Sequence, residues 1–358
     1  MRFSTDRLAK LQKALEAIDA AIITDPYNRR YLLGFDTSDG TLVVKADKVT
    51  FITDSRYIEF ARASVPAEVK VVEANLACDS VRAVRRALGN AATIALEFEK
   101  MSVSSFKAME TRYTKCMFVA IDDTLDTLRT VKDESEIERM KAAQQLTDDV
   151  FYEMLKVIHL GQSEKQIAAE IASRLLTNGA DWFSFTPIVA AGANGSKPHA
   201  VPGDTVVKTG DFVTMDFGCL LDGYCSDMTR TVAVGGCDKE KERVYETVLR
   251  AQTAGIRAAK AGVLGSVVHQ AALDIIASAG FGHFFKHGFG HGLGLEIHEN
   301  PRASLSYVKP LPEGTVISAE PGIYIPGKFG VRIEDVIIIR ENNAENITES
   351  PKELIILD

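Results

Sequence analysis

The sequence predicts a two-domain α/β protein. A mixed α/β domain is expected over residues 1–130, followed by an α+β domain with an internal pseudo-two-fold over 131–358. Three observations predict this. The chain has 358 residues, enough for two hydrophobic cores. Helical and strand periodicities mix through the first ~130 residues. Beyond them a nine-residue pattern recurs: Gly210-Asp-Phe-Val-Thr-Met-Asp-Phe-Gly218 aligns with Gly314-Thr-Val-Ile-Ser-Ala-Glu-Pro-Gly322, 104 residues later.

In chain order, Leu8, Leu11 and Leu15 lie at helical spacing, and Ala20 to Thr24 reads as a strand. Thr41–Val44 and Val49–Thr53 flank the polar turn 45–48 and predict a hairpin. Tyr57–Ala63 and Ser80–Leu88 read as helices, with strands near Val69–Val72 and Thr93–Phe98. The domain boundary is expected near Arg129 to Asp133. After it, Asp133 or Ser135 can cap a helix whose apolar face is Ile137, Met140, Leu146, Val150, Phe151 and Leu155. Further helices fit Glu240–Ala259 and Ser266–Ser278.

The repeat delivers acids. Asp216 falls on Glu320, and hydroxyl residues match at Thr214 and Ser318. Asp216 and Asp227 are symmetric about Leu221-Asp222, beside the turn dipeptide Asp222-Gly223; Glu320 and Glu334 are symmetric about Gly327. A turn midway between two β-rich runs predicts a hairpin, so two related hairpins each carry one carboxylate per arm. Gathering four carboxylates costs desolvation and like-charge repulsion, which cations offset. Carboxylates with imidazole available suit Mn²⁺, Co²⁺, Zn²⁺ or Fe²⁺, and such acidic clusters commonly hold two ions that activate water for hydrolysis.

Bulk composition excludes other classes. A net charge of −8 and the absence of a Lys/Arg-rich run argue against nucleic-acid binding. No apolar run is long enough to span a bilayer, and the first residues lack the apolar core of a signal peptide. Five irregularly spaced cysteines (Cys78, Cys116, Cys219, Cys225, Cys237) fit reduced thiols and a cytoplasmic location. Cys219 and Cys225 flank the first hairpin turn and read as packing residues, since no CxxC pair is present.

Four of the seven histidines lie between Gly282 and Glu299. The spacing of His287 and His291 mimics a helical zinc motif, but residue 288 is Gly, and glycines at 288, 290, 292 and 294 oppose a helix. The segment instead predicts a Gly-rich loop or strand with close backbone approach. His291, surrounded by glycines, has room for a metal, and His287 fits a supporting position. His159, His269 and His283 read as structural. His199, in a proline-punctuated loop before the first hairpin, is a candidate for proton transfer or substrate binding.

In series, His-Ala at 199–200, MDFG at 215–218, SDMTRT at 226–231, GHGLGLEIHE at 290–299, AEPGIY at 319–324 and GVRIEDV at 330–336 resemble the pita-bread dinuclear metallopeptidases. YNRRYLLGF, TDSRY and VKDESEIERM place the resemblance in the creatinase/prolidase/aminopeptidase P branch and extend it over essentially the whole chain. It implies a creatinase-like amino-terminal domain and a pita-bread catalytic domain. It also implies a site holding two divalent ions: Asp216 on one, Asp227 and Glu334 bridging, His291 and Glu320 completing the second. Mn²⁺ is the expected metal, with Co²⁺ or Zn²⁺ compatible. Glu320 is implied as proton shuttle, with His199 and His298 contacting the scissile carbonyl. Arg302 and Arg332 are candidates for binding a substrate carboxylate, Arg332 alternatively for supporting the acids. Arg29 stands where the branch would have an apolar residue.

The expected activity is hydrolysis of the bond between an N-terminal residue and proline, an Xaa-Pro aminopeptidase, with Xaa-Pro dipeptidase as the alternative. X-Pro is a tertiary amide without N–H, which suits a dedicated pocket. Peptides with proline at the second position are the expected partners, and the resemblance implies a homodimer. A catalytically silent binding protein and a metal-independent C–N hydrolase are rival readings, both opposed by the complete ligand set.

Overall fold

The computed structural model describes residues 6–358, which divide into two compact units between Arg129 and Thr130. The first unit runs α1 (Asp6–Ala14), β1 (Ala20–Ile23), α2 (Pro26–Leu33), β2 (Thr41–Lys45), β3 (Lys48–Asp54), α3 (Ile58–Ser64), β4 (Val69–Ala74), α4 (Ser80–Leu88), β5 (Thr93–Leu96), α5 (Val103–Arg112), β6 (Met117–Ala120) and α6 (Asp122–Thr130). Its six strands form one mixed sheet in the order β4-β3-β2-β1-β5-β6. The β2–β3 hairpin is antiparallel, while β1, β5 and β6 run parallel. Helix α2, which the strand-rich neighbourhood hid, is set by Asp25 accepting from Asn28 N, with Pro26 at its first position. Arg29 is buried, but its guanidinium donates to Thr37 O at 2.9 Å and Gly40 O at 2.8 Å. Loop carbonyls thus bond both terminal nitrogens of the guanidinium where an apolar residue was expected.

The second unit opens with α7 (Glu134–Met154), capped as expected by Asp133 in a reciprocal box with Glu136. It continues α8 (Glu164–Thr177), β7 (Trp182–Phe183), β8 (Ile188–Ala191), β9 (Asp211–Phe217), β10 (Cys219–Leu221), β11 (Tyr224–Cys225), β12 (Met228–Val234), α9 (Lys239–Ala258) and α10 (Gly265–Ser278). The remaining strands are β13 (Gly290–Gly292), β14 (Glu299–Ala303), β15 (Val316–Ala319), β16 (Gly322–Ile325), β17 (Phe329–Arg332), β18 (Asp335–Ile339), β19 (Ala344–Asn346) and β20 (Ile356–Leu357).

Two sheets carry the repeat: β20-β12-β9-β8 and β14-β13-β15-β18-β19. Each is covered by a helix pair. Val150, Phe151, Ile167 and Ile171 of α7 and α8 pack with Val189, Val213 and Met215. Val244, Val248, Val268 and Ile276 of α9 and α10 pack with Ile317, Ala319 and Ile337. Burial of such aliphatic side chains contributes about 1.5–3 kcal/mol each, so both repeat-bearing sheets rest on packed backing. Among the described residues no helix is long and apolar enough to cross a membrane.

The turn of the first hairpin lies one residue beyond its expected centre, which moves the pairing by two residues. Asp216 pairs with Thr229 and Leu221 with Tyr224, so the turn centres on Asp222-Gly223. Both turn residues have positive φ, 47° and 81°, the conformation that selects Asp-Gly in a two-residue hairpin turn. Turn chemistry therefore overrides the symmetric spacing of the two acids. The second hairpin keeps its expected register about Gly327, where φ is 73°.

Candidate active site

The acids collect where the two hairpins meet. Asp216 is the penultimate residue of β9, and Asp227 lies just before β12. Glu320 and Glu334 occupy the break between the β15–β18 ladder and the separate β16–β17 ribbon. His291 comes from the short strand β13, seated by close backbone approach. A Cβ on Gly290 would lie 1.9 Å from Ser318 O, and one on Gly292 2.4 Å from Asn300 O. Ser318 Oγ accepts from His291 N at 3.0 Å and donates to Glu320 Oε1 at 3.1 Å. The repeat-matched hydroxyl thus joins the histidine to the acid.

Asp227, His291 and Glu334 each offer a ligand atom within 4.8 Å of the other two, and all three are buried. His291 Nε2 lies 3.4 Å from Glu320 Oε1 and 3.6 Å from Asp227 Oδ2. Its Nδ1 sits 3.1 Å from Gly292 O, an acceptor, so Nδ1 carries the proton and Nε2 presents a lone pair. Burial, followed by His298, pushes this imidazole down to about 3, which keeps it neutral. Burial raises the Asp227 and Glu334 carboxyls well above the usual range, with their acidic neighbours adding to the rise; burial brings Glu320 up to about 7. Asp216 Oδ1 and Asp227 Oδ1 are buried without a hydrogen-bond partner. Orphaned carboxylate oxygens, mutual repulsion and a bare imidazole nitrogen are what a divalent cation relieves, so these residues fit a metal centre.

Arg332 organises the cluster. It donates to Asp216 Oδ2 at 2.5 Å, Thr229 Oγ1 at 2.9 Å, Tyr324 OH at 2.8 Å and Pro198 O at 3.2 Å. Thr229 in turn donates to Glu334 Oε2 at 2.6 Å. Of the two roles considered for Arg332, this geometry matches support of the acids. It is 4 % exposed and also lines the cavity. Tyr324, within the AEPGIY motif but not singled out from the sequence, also donates to His287 Nε2 at 3.0 Å. His287 Nδ1 donates to Gly288 O at 2.8 Å, so His287 supports the site through Tyr324 and Arg332. A motif names Tyr324 but does not show where its hydroxyl points.

These groups floor a cavity of about 390 Å³, whose wall includes Phe185, Ile188, His199, His298 and Arg302. The His298 ring stands edge-on to His291, centroids 4.4 Å apart. Arg302 is paired with His291 across β13–β14 and is exposed, as is His199 on its turn. His269 stacks on Phe285, and His283 packs against Phe284, away from the acids. All five cysteines are free, and Cys219 and Cys225 are buried packing residues with burial pushing both thiols up.

The fold and this centre define a two-domain metallopeptidase. Residues 138–341 match the profile described as "Metallopeptidase family M24", and 7–131 match "Creatinase/Prolidase N-terminal domain". The chain belongs to family M24, in its creatinase/prolidase/aminopeptidase P branch. It is 35 % identical to the Xaa-Pro dipeptidase of Pyrococcus furiosus, over 98 % of this chain and 99 % of that one. Solved structures of an X-Pro aminopeptidase from Thermotoga maritima (36 % identity, TM-score 0.91) and an Xaa-Pro dipeptidase from Bacillus anthracis (38 %, 0.94) superpose. The former covers 97 % of this chain and 100 % of that chain; the latter covers 99 % of each.

Proposed function

We propose that this metallopeptidase cleaves the bond between an N-terminal residue and proline, as an Xaa-Pro aminopeptidase. The observation that carries the reading is the convergence of Asp216, Asp227, His291, Glu320 and Glu334 on the floor of a cavity walled by His199 and His298. In this reading the five residues would hold two divalent ions, which would supply an activated water and Lewis acidity at the carbonyl. A carboxylate-rich set supports Mn²⁺ over Co²⁺ or Zn²⁺.

The chain's own groups do the rest. Ser318 engages Glu320 Oε1, leaving Oε2 to take the proton of the attacking water and return it to the departing proline nitrogen. An amide nitrogen leaves as an amine only once it is protonated, so proton delivery to the proline nitrogen is obligatory. His298 and His199 donate to the developing oxyanion. Arg332 keeps Asp216 aimed into the cluster.

Exposure of His199 and Arg302 at the cavity mouth leaves a path for a chain extending beyond proline, which favours the aminopeptidase. The same exposed Arg302 beside His291 favours a second reading, an Xaa-Pro dipeptidase whose substrate carboxylate meets the guanidinium. Mn²⁺-supplemented assays of Ala-Pro-Ala and Ala-Pro, each with a chelator control, separate the two. Chelator-sensitive cleavage of the tripeptide supports the first; cleavage of the dipeptide alone replaces it with the second. Cleavage of neither by metal-loaded protein removes both. Five free thiols support a cytoplasmic location, and the family resemblance supports a homodimer, which light scattering showing only monomer would overturn.

A further inference from the structure

His199 sits on an exposed turn, yet its proposed task requires a fixed position to within a fraction of an ångström. The residue that meets this requirement lies on a different element. Glu164 is the first residue of α8 and is completely buried. Its Oε1 accepts from Ala191 N at 2.8 Å and Asn194 Nδ2 at 2.9 Å. Its Oε2 accepts from Gly203 N at 2.9 Å and from the same Asn194 Nδ2 at 3.0 Å. One carboxylate therefore joins residues 191 and 203, the two ends of the segment that has His199 near its middle, and also a point inside it.

The main chain reinforces this anchor. Glu164 N donates to Thr205 O at 3.0 Å, and Lys165 N donates to Gly203 O at 3.1 Å. On its other side the segment lies against β17, whose Gly330 is so close that a Cβ there would stand 2.1 Å from Gly195 O. Arg332, from the same strand, donates to Pro198 O at 3.2 Å, one residue before His199. The turn is therefore held from two directions: at its ends by Glu164, and along its middle by the strand that also braces Asp216.

A fully buried carboxylate is costly unless its oxygens are bonded, and here neutral N–H donors from one loop satisfy it. A structural helix terminus needs only local partners. These partners are 27 to 39 residues away and cluster on the segment bearing His199.

We propose that Glu164 is the positioning residue for His199, its carboxylate clasping residues 191–203 so that the imidazole stands over the scissile carbonyl. This rests on the reading of His199 as an oxyanion donor. Glu164→Gln places an NH₂ among N–H donors and loosens the clasp without changing its size. The test is a cycle of Glu164→Gln and His199→Ala in the metal-loaded full chain, with Xaa-Pro hydrolysis and bound metal measured. Expected are kcat lowered about 30-fold in Glu164→Gln, KM within about threefold of the parent, and unchanged metal content. In the His199→Ala background the same change should cost less than about threefold, because the group being positioned is already gone. Additive losses, or normal turnover of Glu164→Gln with His199→Ala impaired, would overturn the proposal alone. Full activity of His199→Ala would overturn the reading of His199 and the proposal with it. Asn194→Ala removes one partner without touching the buried charge, and should show the same kcat-weighted, non-additive pattern at about fivefold. That variant keeps the test decisive if Glu164→Gln does not fold; an Asn194→Ala that is fully active overturns the proposal.

Discussion

The two hairpins share a sequence pattern but not a geometry. In the second, Glu320 and Glu334 keep the opposed register expected from Gly327, and the ladder breaks at them into two separate ribbons. In the first, the β9–β12 ladder runs one pair past Asp216, which pairs with Thr229, and stops at Phe217 and Met228, so only Asp227 lies in the break before the separate β10–β11 ribbon. The matched hydroxyls diverge too. Thr214 bonds Thr231 within its own hairpin at 3.0 Å, whereas Ser318 bonds His291 and Glu320 across the site. An internal repeat thus fixes which residues reach the centre, while turn chemistry and cross-hairpin bonds decide how each one is presented. The first hairpin keeps Asp216 inside its ladder, braced by Arg332, and leaves only Asp227 in the break between its two ribbons. The second leaves both of its acids in the break.

The comparison breaks first at the two acids expected to lie between the ions, one from each hairpin. Asp227→Asn and Glu334→Gln should each lower kcat at least about 10³-fold with the fold intact by circular dichroism. Near-normal turnover in either variant would remove that residue from the ligand set and the pairing of the hairpins with it.

Next come the repeat-matched glycines. A Cβ on Gly218 would stand 2.0 Å from the backbone oxygen of Ser226, whereas one on Gly322 would stand 2.5 Å from the Tyr324 hydroxyl. Gly218→Ala should therefore destabilise by about 3 kcal/mol, because a paired backbone must move. Gly322→Ala should instead displace Tyr324 from His287 and Arg332, lowering kcat about tenfold. Denaturant melts with kinetics on both variants test the split, and equal stability losses would erase the distinction.

Metal removal should expose the shared charge. Glu320 is raised from 4.5 to about 7 by burial, and Asp227 and Glu334 also rise. A raised folded-state value means that the metal-free protein gains stability from protonating Glu320. That contribution is complete below about 4.5 and lost as pH rises through about 7. Bound ions hold the carboxylates ionised, so the difference in Tm between loaded and chelated protein should widen from pH 4.5 to 7. A difference that stays flat across this window would contradict the carboxylate cluster as the ion site.

The smallest effect is expected at the link between the hairpins. Thr229→Val removes the donor to Glu334 and the acceptor for Arg332, and should cost about fivefold in kcat with bound metal retained. Loss of metal instead would make Thr229 part of the ion-holding framework.

Much of this was legible in the chain itself. Local rules placed Ser80–Leu88, the β2–β3 hairpin and the Asp133-capped helix, because capping, periodicity and turn chemistry act over a few residues. The repeat and the motif series singled out Asp216, Asp227, His291, Glu320 and Glu334, since residue type and spacing carry ligand chemistry. The first hairpin's register was decided by Asp222-Gly223, a turn preference stronger than the symmetry of the acids. What only the tertiary structure decided are the long-range bonds: Arg332 turned inward to Asp216, Tyr324 joined to His287, and Glu164 reaching across to the loop of His199. A side chain's direction depends on partners as far as 116 residues away, and desolvation makes those bonds obligatory only once the chain has closed around them.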